Sequence, residues 1–361
     1  MVQSLSRCGS CGLPGKLAEN LTWGCDGTIR LSGLKWVKLA FMDADCIRDI
    51  YDGLAVMLGS GSLDDGERDV THLITGRLIS GFKRKLSRYD ILKRRILEAM
   101  EDYSLILGMG RIELERYTPV AEGSMLLKWP IHLNMVEAGI AGILECMDRC
   151  TYSYHTSVLS GGCYRLRFDL KRKGTRHGGS LGKRETVVVN EDGEELKRCE
   201  KCGLPCGMSV YRWDELHGVI EEGTEGRRMV FIPVDAINIM VRMGNDVGED
   251  TGNGIVGEAI RSCTLRQLET GKESTAEGGG SGAVGADRKG IAEYMSRPSL
   301  WGWGHVEDAG ISGEVWRICM TSPLPSPVIT GWLSGLYTSA IGRRPLIDVV
   351  EDAPRTIMEL G

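Results

Sequence analysis

The chain has 361 residues, of which 42% are hydrophobic and 26% are charged, and its formal net charge is −5 at pH 7. This length and composition indicate a globular protein of roughly two domains, without the run of about 18 apolar residues that a membrane-spanning helix requires. The negative charge gives no electrostatic argument for binding nucleic acid or an anionic membrane. The first residues lack the features of a secretory signal, so we expect a cytoplasmic protein without disulfide bonds, although it has 12 cysteines.

Two segments of the sequence are similar at a separation of about 190 residues. The motif CGSCGLP at residues 8–14 returns as CEKCGLP at residues 199–205. Further similar segments follow in the same order, namely residues 26–29 and 217–220, 41–47 and 231–237, 108–111 and 302–305, Pro130 and Pro323, and 139–144 and 332–337. This order predicts an internal duplication with one unit at residues 1–170 and another at residues 185–361, each headed by a ribbon that carries a CxxC motif.

The apolar pattern of the first unit predicts both strands and helices. In chain order we expect strands at residues 23–31 and 36–41, a helix that ends near Gly59, a helix at residues 79–100, strands at 103–115 and 124–129, a helix from Pro130 to about residue 147, and strands at 152–158 and 164–170. Asp45 is placed to cap the first helix, and Asp235 the corresponding helix of the second unit. This succession of elements predicts an α+β fold.

Two segments have the composition of connections. Residues 171–184 (KRKGTRHGGSLGKR) are basic and rich in glycine, which predicts a solvated linker between the units, with contact to a phosphate or a partner as the alternative. Residues 270–287 (TGKESTAEGGGSGAVGAD) have almost no large apolar side chains, so we expect a mobile insertion in the second unit.

The CxxC motifs indicate a metal site. Each of them places two thiols on one tight knuckle, which is the spacing with which a protein binds tetrahedral Zn²⁺ from one edge. The candidate ligands are Cys8, Cys11 and Cys25 in the first unit and Cys199, Cys202, Cys206 and His217 in the second, with Asp26 at the position that corresponds to His217.

Two arrangements of these ligands remain open. Either each unit holds its own metal, or the two knuckles meet across a pseudo-twofold axis and form one four-cysteine site, as a duplicated homodimer would allow. We expect separate sites, because the additional ligands recur at similar distances from the two knuckles. Zinc is the expected metal, an iron–sulfur cluster is the second alternative, and redox thiols without a metal are the third.

The last third of each unit carries a recognisable set of segments. In the first unit these are GMGR at residues 108–111, Pro130, AGIAGILECM at residues 138–147 and GGCYRLRF at residues 161–168. In the second unit they are GWG at residues 302–304, Pro323, GWLSGLY at residues 331–337 and GRRP at residues 342–345. Both sets resemble the 4-vinyl reductase domain family.

The resemblance implies an α/β fold that encloses a small apolar, planar or tetrapyrrole-like ligand. Family members often bind zinc through cysteines, but the corresponding positions hold Leu133, Val158 and Arg165 in the first unit and Ser326, Glu351 and Met358 in the second. We therefore expect the family's own metal site to be absent. The helix glycines either allow close helix packing or leave room for a flat ligand. The ligand-binding candidates are Gly139, Gly142, Gly331, Gly335, Trp301 and Trp303.

The sequence contains no phosphate-binding loop and no GxSxG, HExxH or dinucleotide motif, so we do not expect an enzyme. We expect a non-catalytic protein that binds a hydrophobic, planar or tetrapyrrole-like small molecule. The alternative is an accessory or assembly subunit of a larger metalloenzyme complex, whose ribbons contact a protein partner or hold an iron–sulfur cluster. A reductase is suggested only by the name of the family.

Overall fold

The computed structural model describes residues 6–78, 90–173, 196–223, 226–246, 249–276, 288–352 and 354–361. Helices and antiparallel strands are mixed along the chain, which confirms the expectation of a fold that combines α and β structure. Among the helices of these ranges, none has the length and apolar character needed to cross a membrane.

The first half of the chain contains helices and strands, and its last four strands form two hairpins. Its elements are α1 (Gly15–Asn20), β1 (Leu21–Trp23), β2 (Ile29–Leu31), β3 (Leu34–Asp43), α2 (Ala44–Leu58), α3 (Ser60–Leu78), α4 (Asp90–Leu107), β4 (Arg111–Thr118), β5 (Glu122–Lys128), α5 (Leu133–Asp148), β6 (Cys150–Ser160) and β7 (Cys163–Lys173).

The second half follows a similar order. A 3₁₀ helix (Cys206–Val210) precedes β8 (Tyr211–Asp214), β9 (Val219–Glu222), β10 (Arg227–Pro233), α6 (Val234–Asp246), α7 (Glu249–Ala276), α8 (Arg288–Trp301), β11 (His305–Ser312), β12 (Val315–Thr321), α9 (Ser326–Ile341), β13 (Ile347–Asp352) and β14 (Arg355–Leu360).

The described strands form three antiparallel sheets. One four-stranded sheet has the order β4-β5-β7-β6, and the other has the order β11-β12-β14-β13, so the two follow the same path. The third sheet has six strands in the order β1-β2-β3-β10-β9-β8. It combines strands from both predicted units, which therefore share one sheet.

The two halves meet where β3 pairs with β10. Phe41 lies directly opposite Phe231 in this pairing, and the centroids of the two rings are 4.4 Å apart. Both side chains are completely buried and belong to the main hydrophobic core. The centre of the molecule is therefore built from the residues that correspond in the two similar sequence segments.

The β1–β2 hairpin and the β8–β9 hairpin of the six-stranded sheet each form a backbone hydrogen bond with the opposite half. The N–H of Gly304 donates to the carbonyl of Gly27 at 3.1 Å, and the N–H of Gly110 donates to the carbonyl of Gly218 at 2.9 Å. A Cβ atom on Gly27 would lie 2.3 Å from the carbonyl of Gly304, so the backbones approach too closely for any residue but glycine. These reciprocal contacts interlock the halves.

The local sequence pattern accounts for helix α2 and for its first residues. Ile47, Ile50 and Leu54 recur at helical spacing and are all buried, as the pattern predicts. The N-cap is Asp43 rather than Asp45, because the carboxylate of Asp43 accepts from the N–H groups of Asp45 and Cys46. The cap predicted from the sequence is therefore wrong by two residues.

Other boundaries also differ from the sequence-based expectation. The chain is helical as far as Leu107, where a strand was expected from residue 103, and the helix expected from Pro130 begins at Leu133. Residues 171–173 of the expected linker belong to β7, and residues 270–276 of the expected insertion are helical. Residues 79–89 of the expected second helix, 174–184 and 277–287 lie outside the described residues.

A buried acid lies between two helices of the first half. Glu67 on α3 is 5% exposed, and its Oε1 atom would be 3.9 Å from a Cβ atom on Gly139 of α5. Loss of hydration raises the pKa of Glu67 from 4.5 to about 7. The folded protein therefore binds this proton more tightly than the unfolded chain.

We expect Glu67→Gln to stabilise the protein at pH 8 and to have little effect below pH 5. The stability that protonated Glu67 contributes is fully present below its unfolded pKa and is lost as the pH rises to about 7. Urea unfolding should give the variant an advantage of about 1–3 kcal/mol at pH 8. Glu98→Gln, at an exposed position, is the control, and an equal effect of Glu67→Gln at both pH values would contradict the prediction.

Candidate metal centre

The first knuckle is a tight turn that the sequence specifies residue by residue. The N–H of Cys8 donates to the carbonyl of Leu13, and the N–H of Gly12 donates to the carbonyl of Cys8, both at 2.8 Å. Gly12 has a φ of +74°, in the left-handed region that glycine adopts without steric cost. The glycine after the second cysteine is therefore required by the turn.

The second knuckle has the same backbone geometry. The N–H of Cys199 donates to the carbonyl of Leu204, and the N–H of Gly203 donates to the carbonyl of Cys199, again both at 2.8 Å. Gly203 has a φ of +73°. The repeated CxxCGLP motif thus folds in the same way in each half.

The two knuckles face each other. The Sγ atoms of Cys8 and Cys199 are 3.9 Å apart, and those of Cys11 and Cys202 are 3.5 Å apart. All four Sγ atoms lie within 4.8 Å of one another. Cys199 is buried and the other three cysteines are half-buried. This group of four thiols, two from each half, could hold a metal ion.

The electrostatic surroundings divide the four thiols into two kinds. Backbone N–H groups of Cys202 and Lys201 stabilise the thiolate of Cys199 and lower its pKa to about 6, and those of Cys11 and Ser10 lower the pKa of Cys8. Burial raises the pKa of Cys11 and of Cys202. The backbone of each knuckle thus favours the thiolate form of its first cysteine, whereas burial disfavours the thiolate form of the second.

An arginine before each knuckle joins it to the opposite hairpin. Arg7 donates to the carbonyl of Gly12 at 3.2 Å in its own knuckle and to that of Trp213 at 3.0 Å in the other half. Arg198 donates to Gly203 at 3.0 Å and, in the other half, to Trp23 at 2.8 Å. These contacts hold each knuckle against the hairpin of the other half.

The expected arrangement of two separate sites is therefore not the one that the structure shows. Among the described residues, Cys8, Cys11, Cys199 and Cys202 form the one group of potential metal ligands, and it is shared between the halves. Cys25, Cys206 and His217, which were expected to complete local sites, lie outside this group. The alternative of one shared four-cysteine site is the one that fits.

The side chains expected to complete the local sites have other roles. His217 places Nδ1 2.6 Å from Oδ2 of Asp214. Asp26 is buried and accepts from Arg30 at 2.6 Å, so its carboxylate is already paired. Cys25 lies in the turn between β1 and β2, and Cys206 begins the 3₁₀ helix after the second knuckle.

The four glycines proposed as ligand contacts face other helices. A Cβ atom on Gly142 would lie 2.1 Å from Oγ1 of Thr71, and one on Gly331 would lie 2.4 Å from the carbonyl of Gly257. A Cβ atom on Gly335 would lie 2.7 Å from Cβ of Thr264, whereas one on Gly139 would make an ordinary contact of 3.6 Å with Thr71. These glycines allow α5 to pack on α3 and α9 to pack on α7, and leave no room there for a flat ligand.

Trp301 and Trp303 are both buried, and each indole N–H has a partner. Trp301 donates to the hydroxyl of Tyr211 at 2.9 Å, and Trp303 donates to the carbonyl of Phe41 at 3.0 Å. The two rings line a cavity of about 10 Å³, which holds no more than one water molecule. Both tryptophans are therefore core residues, and the hydrogen bond of Trp303 to Phe41 joins the two halves.

No protein-family model matches the chain, and no curated protein or solved structure is significantly similar to it. The resemblance to the 4-vinyl reductase domain family stays a prediction from the sequence.

We expect Gly142→Ala to lower the free energy of unfolding by about 1–3 kcal/mol, because the new methyl group collides with the backbone of α3. Gly139→Ala is the matched control one turn earlier. Its methyl group would lie 3.6 Å from Thr71, an ordinary contact, and removing a helical glycine should be neutral or stabilise by up to about 1 kcal/mol. Thermal and urea unfolding of both variants would measure the difference; equal stabilities would contradict close packing at Gly142.

Proposed function

We propose that this chain is a non-catalytic metal-binding protein in which a single zinc ion joins two ligand-binding units similar to the 4-vinyl reductase domain. The observation that carries the proposal is the convergence of four thiols, two from each half, within 4.8 Å. The metal supplies a bond between segments that are far apart in sequence, and the units supply the surfaces that bind a ligand.

The spacing of the thiols supports a single ion. Zn–S bonds of about 2.3 Å place neighbouring thiolates of a tetrahedron about 3.8 Å apart. The two distances between opposing sulfurs are 3.9 and 3.5 Å. An iron–sulfur cluster places several irons and sulfides between its thiolates and so holds them further apart, which makes the compact set less suitable for a cluster.

The ligand set also supports a structural role. Four protein thiolates fill every position of tetrahedral zinc, so none remains open for a water molecule or a substrate. An ion that closes its coordination shell in this way contributes its binding free energy to folding. We therefore propose that the ion stabilises the interlocked halves and takes no part in a reaction.

Three features support the proposal that the halves arose by duplication. The two four-stranded sheets have the same strand order, the two knuckles make the same hydrogen bonds, and Phe41 pairs with Phe231. In a homodimeric ancestor, a CxxC knuckle near the two-fold axis would meet its own copy and complete a four-thiol site. A shared site is thus the arrangement that duplication of a dimer favours.

Metal analysis tests the zinc site directly. Protein purified without oxygen and loaded with zinc should hold about one ion per chain, and Cys202→Ser should lower this content to near zero and destabilise the fold by several kcal/mol. The variant loses one thiolate of the tetrahedron and leaves three that bind zinc more weakly.

Cys206→Ser is the matched control for this experiment, because Cys206 lies shortly after the same knuckle but outside the four-thiol group. Its metal content and unfolding midpoint should equal those of the unmodified protein. Two zinc ions per chain, or iron with a matching amount of sulfide, would refute the single-ion site.

A further inference from the structure

A cleft of about 300 Å³ lies beside the start of α5, and none of the four cysteines is among the residues that line it. Its walls include Trp129, His132 and Tyr164, together with Arg48 and Arg228. The first half supplies all of these except Arg228, which comes from β10 of the second half. The volume is at the lower end of the range for small-molecule sites.

Trp129 has an unusual backbone for so large a residue. Its φ is +51°, in the left-handed region that bulky residues rarely adopt, and 45% of it is exposed. Its ring lies against Gly162, where a Cβ atom would be 3.4 Å from the indole. The ring also packs edge to face on the imidazole of His217, with centroids 5.3 Å apart, and the exposed part of the residue forms a wall of the cleft.

Ser322, at the corresponding position of the other half, shows which features of Trp129 the fold requires. Ser322 has the same φ of +51°, and its N–H donates to the carbonyl of Pro354 at 2.9 Å, as that of Trp129 donates to Gly162 at 2.9 Å. The fold therefore requires this backbone conformation but no aromatic side chain. The indole of Trp129 is an addition specific to the first half.

Arg228 brings a positive charge that no carboxylate of the described residues contacts directly, although Asp45 is close enough to interact with it electrostatically. Its guanidinium donates to the carbonyls of Gly108 and Pro130 at 3.3 Å and of Trp129 at 2.6 Å, and within the described residues it forms no ion pair. Its Nε is buried without a hydrogen-bond partner. Burial lowers the pKa of Arg228 to about 10. A desolvated cation of this kind favours an anion beside it.

The remaining groups add specificity. The hydroxyl of Tyr164 has no hydrogen-bond partner in the described part of the chain, so it is available to a ligand. Arg48 is paired with Asp45 at 3.0 Å and is half exposed. Nε2 of His132 lies 3.2 Å from Oδ1 of Asp52, so this side chain is already partnered. The cleft thus combines a flat aromatic wall, a phenolic donor and the guanidinium of Arg228, which no carboxylate of the described residues contacts directly.

We propose that this cleft binds a planar organic anion, an aromatic ring that carries a carboxylate. The ring stacks on Trp129, and the carboxylate lies near Arg228 and accepts from Tyr164. This inference rests on the ligand-binding part of the proposed function and gives it a site and a ligand class, but it does not depend on the zinc ion.

Isothermal titration calorimetry of the zinc-loaded full chain with 2-naphthoate tests the proposal. We expect a 1:1 complex with a Kd below about 1 mM. The neutral analogue 2-naphthamide should bind at least tenfold more weakly, because it offers Arg228 no charge. Absence of naphthoate binding, or equal affinities for the acid and the amide, would overturn the inference.

Trp129→Ser is the sharpest variant, because Ser322 shows that this backbone accepts serine. It should weaken naphthoate binding tenfold or more, whereas Ser322→Ala in the other half should leave the affinity unchanged. If Trp129→Ser binds naphthoate as well as the unmodified protein does, the cleft is not the site.

Zinc analysis of the same samples separates this inference from the proposed metal site. A full zinc content without naphthoate binding overturns only the cleft. Naphthoate binding that depends on Trp129, in a protein that takes up no zinc, overturns only the metal site.

Discussion

The antiparallel pairing of β3 with β10 is the contact from which the rest of the arrangement follows. Its register places Phe41 opposite Phe231, and these residues occupy corresponding places in the similar sequence segments. This pairing brings the β1–β2 hairpin and the β8–β9 hairpin into contact with the opposite half. It also places the thiols of the two CxxC knuckles next to each other. A slip of one residue would turn every side chain of the strand to the other face and remove this coincidence.

Local patterns were sufficient for the parts of the fold that depend on neighbouring residues. The spacing of Ile47, Ile50 and Leu54 predicts α2, and the CxxCGLP motif predicts a metal-binding knuckle, because each pattern acts within a few residues. Whether the two knuckles meet depends on the pairing of strands about 190 residues apart. A pattern of neighbouring residues cannot predict such a pairing. Nearby cysteines and a histidine therefore suggested separate sites. The left-handed backbone of Trp129 could not be read from the sequence either, since bulky residues rarely adopt it.

The two halves share a strand order but differ in what they bury. In the first half, Asp148 is buried with Lys93 at 2.7 Å and accepts from the hydroxyl of Tyr117 at 2.8 Å. In the second half, Trp316 and Tyr337 are both buried, and their ring centroids are 5.2 Å apart. One half retains a charged pair inside its core and the other has an aromatic one. The two halves therefore stabilise the same strand order with different interactions.

The interlocked sheet has a consequence for synthesis on the ribosome. Strand β3 cannot find its partner until β10 has been made, about 190 residues later, which at ordinary translation speed is roughly 10 to 40 s. During that time the apolar backbone edge around Phe41 is exposed and open to pairing with another chain. We therefore expect chaperones to bind the nascent first half. Its release from them should depend on the synthesis of residues 227–233 and not on the completion of its own core.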